Sequence, residues 1–152
     1  MMQEKGKLPT KMVCLSFASL SLTYSIMLIG VYITSSHQGL SCPDWPLCPN
    51  GFDLPSSKYF FEHFHRLLVL ITSSFIFATA IYSIRKPRQI KNPAVIAGII
   101  VVVQILLGMF VVNSKLQAVI VAGHLGTGMI LFAMLLLTFI YSYKQWKNNI
   151  NV

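Results

Sequence analysis

Four apolar runs, each about as long as a bilayer is thick, dominate the chain and leave it few ways to fold. They cover residues 12–34, 59–83, 93–112 and 116–143, and a helix needs roughly 20 apolar residues to cross the hydrocarbon core. Inside lipid a backbone must satisfy its own polar groups, which a helix does within one segment. The expectation is an all-α integral membrane four-helix bundle, one domain over residues 1–152. Composition agrees: charged residues make up 11% of the chain, against roughly 25% in soluble domains.

The net charge of +8 could suggest a nucleic-acid partner, but its placement argues for topology. Lys5, Lys7 and Lys11 precede the first run, Arg85, Lys86, Arg88 and Lys91 separate the second from the third, and Lys144 and Lys147 follow the fourth. Nine of the twelve basic residues thus fall on one side of a four-span path, leaving Lys58, Arg66 and Lys115 for the other. This is the positive-inside pattern. It implies cytoplasmic N- and C-termini, a multi-pass protein of the cell membrane surrounded by lipid, and no nucleic acid. The first run is longer than the roughly 7–15 residues of a signal-peptide core and ends without a small-residue cleavage site, so it reads as a retained helix.

Residues 35–58 form a long outer loop with Pro43, Pro46, Pro49 and Pro55, and with Asn50-Gly51 as a turn signal. Asp44 and Asp53 make it slightly acidic. Asn92-Pro93 reads as the N-cap and first position of the third helix. Tyr141, Tyr143 and Trp146 suit an interfacial belt at the inner end of the fourth.

Two histidines carry the chemistry. His65 is about six residues into its span and His124 about eight, both from the outer end, so at 1.5 Å per residue both lie roughly 9–12 Å below the interface. Imidazoles at one depth on different helices can approach one haem iron from opposite faces. The plainer alternative is a polar pair hydrogen-bonding between helices, but ionisable groups inside a membrane are costly and point to function. Gly123, Gly126 and Gly128 flank His124 and could clear space for a flat macrocycle, although small residues also serve helix contacts. Gly30 on the first span either serves close helix contact or faces lipid.

Glu62, His65 and Arg66 share one helical face. Glu62 either pairs with Arg66 or manages protons beside a redox site, with Arg66 meeting a haem propionate. His63 leaves the helix on the opposite side and is expected at the interface; His37 has no assigned role. Cys42 and Cys48 lie in a loop on the oxidising side, where a disulfide is the default. It either staples the loop or exchanges electrons or thiols with a partner. Their spacing matches neither a zinc motif nor C-x-x-C. Cys14, in the first span, reads as packing.

Taken together, Gly39-Leu-Ser-Cys-Pro-Asp-Trp-Pro-Leu-Cys48, Glu62-x-x-His65-Arg66, Gln104-x-x-Leu-Gly108 and His124-Leu-Gly strongly resemble the haem A synthase family. The order of the motifs on four spans matches as well, over roughly residues 25–140. The resemblance implies an oxidoreductase that converts the C8 methyl of haem O to the formyl of haem A for terminal oxidases, with haem b as cofactor and haem O as substrate. It implies His65 and His124 as axial haem ligands, with Arg66 beside them, Glu62 as the acid near the substrate methyl, and Cys42 and Cys48 as the outer-loop pair. Members of that family commonly carry eight spans in two similar halves, and this chain resembles one half. The expectation is therefore a half-size subunit acting as a homodimer or higher homo-oligomer, its axis along the membrane normal, with a haem O synthase as a further partner.

Two other classes use the same residues differently. A bis-histidine b-type haem protein, transferring electrons or carrying haem, needs the histidines but has no evident need for Glu62. A quinone-linked thiol oxidoreductase would depend on Cys42 and Cys48 instead.

Overall fold

The computed structural model describes residues 8–42, 45–46, 48, 51–52 and 57–150. Lys5, Lys7, Pro43, Asp44, Pro49, Asn50, Asp53 and Pro55 lie outside these. The described residues form four helices and no strand: α1 (Leu8–Ser35), α2 (Phe60–Ser83), α3 (Arg88–Asn113) and α4 (Ala118–Ile150). All four are long and apolar enough to cross a membrane. A single 3-10 turn over Ser57–Tyr59 leads into α2. The protein is a multi-pass membrane bundle.

Each helix runs antiparallel to the one before it, α2 to α3 and α3 to α4 through short turns and α1 to α2 through the long loop. The α1–α2 loop and the α3–α4 turn share one end of the bundle, called here the loop end. Contacts run around a ring, α1 to α2 to α3 to α4 and back to α1. The remaining pairs, α1 with α3 and α2 with α4, stand diagonally opposite, with no Cα pair within 8 Å among the described residues.

The interior is lined by small and hydroxylated side chains. Ser16, Ser19 and Thr23 of α1, Thr72, Thr79 and Ser83 of α2, and Thr138 and Ser142 of α4 are all buried. Most of these hydroxyls donate to a carbonyl one turn back in their own helix, as Thr72 does to Leu68 at 2.7 Å and Ser142 to Thr138 at 2.6 Å, which satisfies them within an apolar interior; Thr23 Oγ1 is buried without a partner among the described residues. Ser19 and Thr79 also bond each other across α1 and α2 at 3.0 Å. Apolar packing is confined to two clusters. Ile76, Ala97, Val101, Leu131 and Leu135 fill mid-bundle, and Met12, Ile90 and Ala94 fill the end away from the loop. The bulky apolar residues face outward: Phe17, Leu28, Leu70, Ile81, Ile99 and Val119 are all more than half exposed. Lipid, unlike water, exerts no pressure to bury them, so helices associate through close backbone approach and polar contacts.

The helix ends show local chemistry. His37 has φ 57°; its N–H donates to Thr34 and that of Gln38 to Ile33, a Schellman ending to α1. Lys115, φ 54°, ends α3 in the same way through Lys115 to Val112 and Leu116 to Val111. Gly51, at φ 61°, turns the loop with its N–H on Cys48. One boundary differs from expectation. The third helix starts at Arg88 after Pro87, and Pro93 lies inside it. Pro87 ends the preceding turn and its carbonyl accepts from Ile90 and Lys91, so the helix is already under way when Asn92-Pro93 arrives. Tyr143 and Trp146 sit ring to ring at 5.6 Å, while Tyr141 packs against the Met12 cluster.

A diagonal histidine pair beneath a disulfide loop

Each histidine is set on one helix and seated on its neighbour. His65 is in the second turn of α2, and its Cε1 would lie 3.3 Å from a Cβ built on Gly30 of α1. His124 is in the second turn of α4, and its Cε1 would lie 3.6 Å from a Cβ built on Gly108 of α3. In both hairpins a glycine on the first helix makes room for an imidazole on the second. Because α2 and α4 are the diagonal pair, the two rings come from opposite corners of the ring of helices. Nδ1 of each is buried and has no hydrogen-bond partner among the described residues. Gly30 is thereby accounted for by ring contact rather than by lipid.

Above His65 the loop is latched to α2. The Glu62 carboxylate is 4% exposed and accepts three hydrogen bonds. Arg66 Nη2 donates to Oε1 at 2.6 Å, and Ser41 Oγ and the Cys42 backbone N–H donate to Oε2 at 2.8 and 2.9 Å. An acid in the first turn of a helix also meets the positive end of its dipole. Arg66 Nη1 reaches the Pro46 carbonyl at 3.5 Å. Cys42 and Cys48 are joined as a disulfide, their Cα atoms 5.3 Å apart. Glu62 thus forms the Arg66 pair, and its carboxylate also holds the start of the cysteine loop.

Two expectations need correction. His63 does leave α2 away from His65, but it is 1% exposed rather than interfacial, and neither of its nitrogens has a partner among the described residues. Helical period fixes where a side chain points and says nothing of what packs over it. The three glycines around His124 also divide. Gly123 and Gly126 are exposed with nothing within 4 Å of a built Cβ, whereas Gly128 is buried against Gln104, whose Nε2 would lie 2.8 Å from its Cβ.

Gln104 is the residue the sequence undersold. Through the notch at Gly128 its Nε2 donates to the His124 backbone carbonyl at 3.0 Å, while Oε1 stays buried without a partner among the described residues. Its signal was a lone amide in an apolar run, four residues before Gly108. Cys14 is exposed on α1, away from the site. No cluster of three or more His, Cys, Asp or Glu occurs among the described residues.

These features define a class: a four-helix membrane bundle presenting one imidazole from each of two diagonal helices, under a disulfide-closed loop. The model of the cytochrome oxidase assembly protein family, COX15-CtaA, matches residues 51–151, and the chain belongs to that family. It is 31% identical over 119 residues to a haem A synthase of Lysinibacillus sphaericus, covering 74% of this chain and 39% of that protein. Similar relatives, also described as haem A synthases, come from an Exiguobacterium species (30% over 139 residues, 86% of this chain and 46% of the relative) and Shewanella oneidensis (26% over 141 residues, 80% and 43%). The chain spans about two fifths of the length of these curated relatives.

Proposed function

We propose that the chain acts in the oxidation of haem O to haem A, with His65 and His124 as the axial ligands of a haem b. The observation that carries this reading is the diagonal imidazole pair, each ring seated on a glycine. A haem iron takes two axial ligands from opposite faces, and diagonal helices provide opposite faces with room between backbones. The donor set fits. The enclosed nitrogen is Nδ1 in both rings, leaving Nε2 as the coordinating atom, and two neutral imidazoles are the ligands a low-spin haem takes. When bound, haem b supplies one-electron transfer.

The chain's own residues then divide the work. His65 and His124 hold the iron at a fixed depth. Glu62 and Arg66 close the loop end over the site, excluding water and keeping a carboxylate beside the substrate. In this reading Glu62 is the acid beside the substrate methyl, and release from Arg66 would free its carboxylate to hold a proton there. The termini are cytoplasmic, the loop is outside, and the membrane is the cell membrane. The chain works as a homodimer or higher homo-oligomer, and a haem O synthase delivers substrate.

A second reading draws on a specific observation. Glu62 already has three hydrogen-bond donors, so its burial is explained without catalysis. A bis-histidine b-type electron-transfer or haem-carrier protein would look the same. The test is to purify the protein from cells that supply haem O and identify the extracted pigments by mass, for wild type and Glu62→Gln. Haem A or its hydroxylated precursor in wild type, absent from Glu62→Gln that still holds haem b, supports the synthase. Haem b with no oxidised product in wild type supports the carrier. A sample with no haem contradicts both.

A further inference from the structure

The α3–α4 pair is built as a reciprocal interlock. Gln104 and Gly108 lie four apart on α3, and His124 and Gly128 four apart on α4, so each pair occupies one face of its helix. The helices are antiparallel, which sets Gln104 opposite Gly128 and His124 opposite Gly108. Each long side chain enters the notch left by the other helix's glycine. The Gln104 amide nitrogen ends on the His124 carbonyl at 3.0 Å, which also accepts from Thr127 Oγ1 at 3.1 Å. Two polar atoms of this interlock remain buried and unpartnered among the described residues: Gln104 Oε1, an acceptor, and His124 Nδ1.

Those two atoms are complementary. An imidazole that coordinates through Nε2 carries its proton on Nδ1, and such ligands almost always donate that N–H to an acceptor. An unpaired buried carbonyl costs free energy that a single such bond recovers. We infer that Gln104 is the positioning residue of His124: its Nε2 fixes the ligand's backbone, and its Oε1 takes the Nδ1–H when Nε2 is ligated. This rests on the reading of His124 as a haem ligand. The arrangement belongs to His124 alone, since the facing segment of α1, around Gly30, carries Ile26 and Met27 and no amide. The haem therefore has one ligand with an oriented, more basic ring and one without.

Hydrogen bonding to the distal nitrogen makes an imidazole a stronger donor and favours the ferric iron. The test uses the detergent-purified full chain with its haem, comparing wild type with Gln104→Met, which keeps length and removes both polar atoms, and Gly128→Ala. The alanine methyl would sit 2.8 Å from Nε2, moving the flexible amide aside while leaving every polar group in place. Both variants are expected to keep the haem, raise its midpoint potential, and shift the low-spin ferric resonance. The double variant should shift no further than the larger single one, since both changes remove one interaction. Unchanged potential and resonance in Gln104→Met, with haem lost from His124→Ala, overturn the role of Gln104 alone. Full haem with an unchanged spectrum in His124→Ala overturns the ligand reading itself. If Gln104→Met fails to accumulate, Gly128→Ala decides by the same two readouts.

Discussion

The two hairpins of this bundle solve one problem in two ways. Each holds an imidazole near the loop end, and each sets a glycine of its first helix against that ring. The α1–α2 hairpin secures His65 from above, through a loop closed by a disulfide and pinned to α2 by Glu62 and Arg66. The α3–α4 hairpin has only a tight turn at that end and secures His124 from below, through Gln104 in the Gly128 notch. The first device lies at the loop end and uses an ion pair; the second lies within α3 and α4 and uses a neutral amide. The lesson is that depth selects the chemistry of the clamp. At the loop end the carboxylate of an ion pair meets the helix dipole, while deeper in lipid an unpaired charge costs several kcal/mol.

The largest expected effect breaks both hairpins equally. His65→Ala and His124→Ala each remove half of the axial pair, and haem recovered per chain, measured by pyridine haemochrome, should fall to near background in both. Retention in one only would mean that the hairpins are not equivalent holders.

Glu62→Ala should destabilise the first hairpin and spare the second. It strands a half-buried Arg66 and two loop donors; breaking a buried pair from one side costs about 3–5 kcal/mol. Protease cleavage within the α1–α2 loop should accelerate sharply, with cleavage at the α3–α4 turn unchanged. Equal acceleration at both would show that the latch serves the whole bundle.

Removing the disulfide, as Cys42→Ser with Cys48→Ser, should cost less, about 2 kcal/mol for so short a closed loop, seen as a lower thermal midpoint that reduction of wild type reproduces. A smaller contrast separates the two glycines. Gly30→Ala brings its methyl to 3.3 Å from His65 and must displace the ring by a few tenths of an ångström, whereas Gly108→Ala meets His124 at 3.6 Å, an ordinary contact. The haem spectrum should shift in the first and stay near wild type in the second. Least of all, Ser19→Ala removes one interhelical hydroxyl pair and should lower stability by about 0.6 kcal/mol.

The sequence made the four helices legible because apolar length is nearly all that a bilayer requires, and it made the place of His65 and His124 near the start of their helices legible because helical rise is constant. The Glu62–Arg66 pair followed from spacing within a single helix. What lay beyond reading were contacts that depend on register between helices. Gln104 and Gly128 are far apart in sequence, and only the antiparallel fit of α3 on α4 brings the amide to the His124 carbonyl. His63 was misjudged for a similar reason: its direction was right, but its cover is tertiary. The early start of α3 shows a local signal overridden by another, since Pro87 begins the helix before the capping pair Asn92-Pro93 is reached.

The most direct measurement of the central claim, that one haem is held between diagonal helices by His65 and His124, is low-temperature electron paramagnetic resonance of the ferric protein. The account predicts a low-spin bis-imidazole signal in wild type that gives way to high-spin iron, or to no haem, in both His65→Ala and His124→Ala. A low-spin signal unchanged in either variant would contradict it.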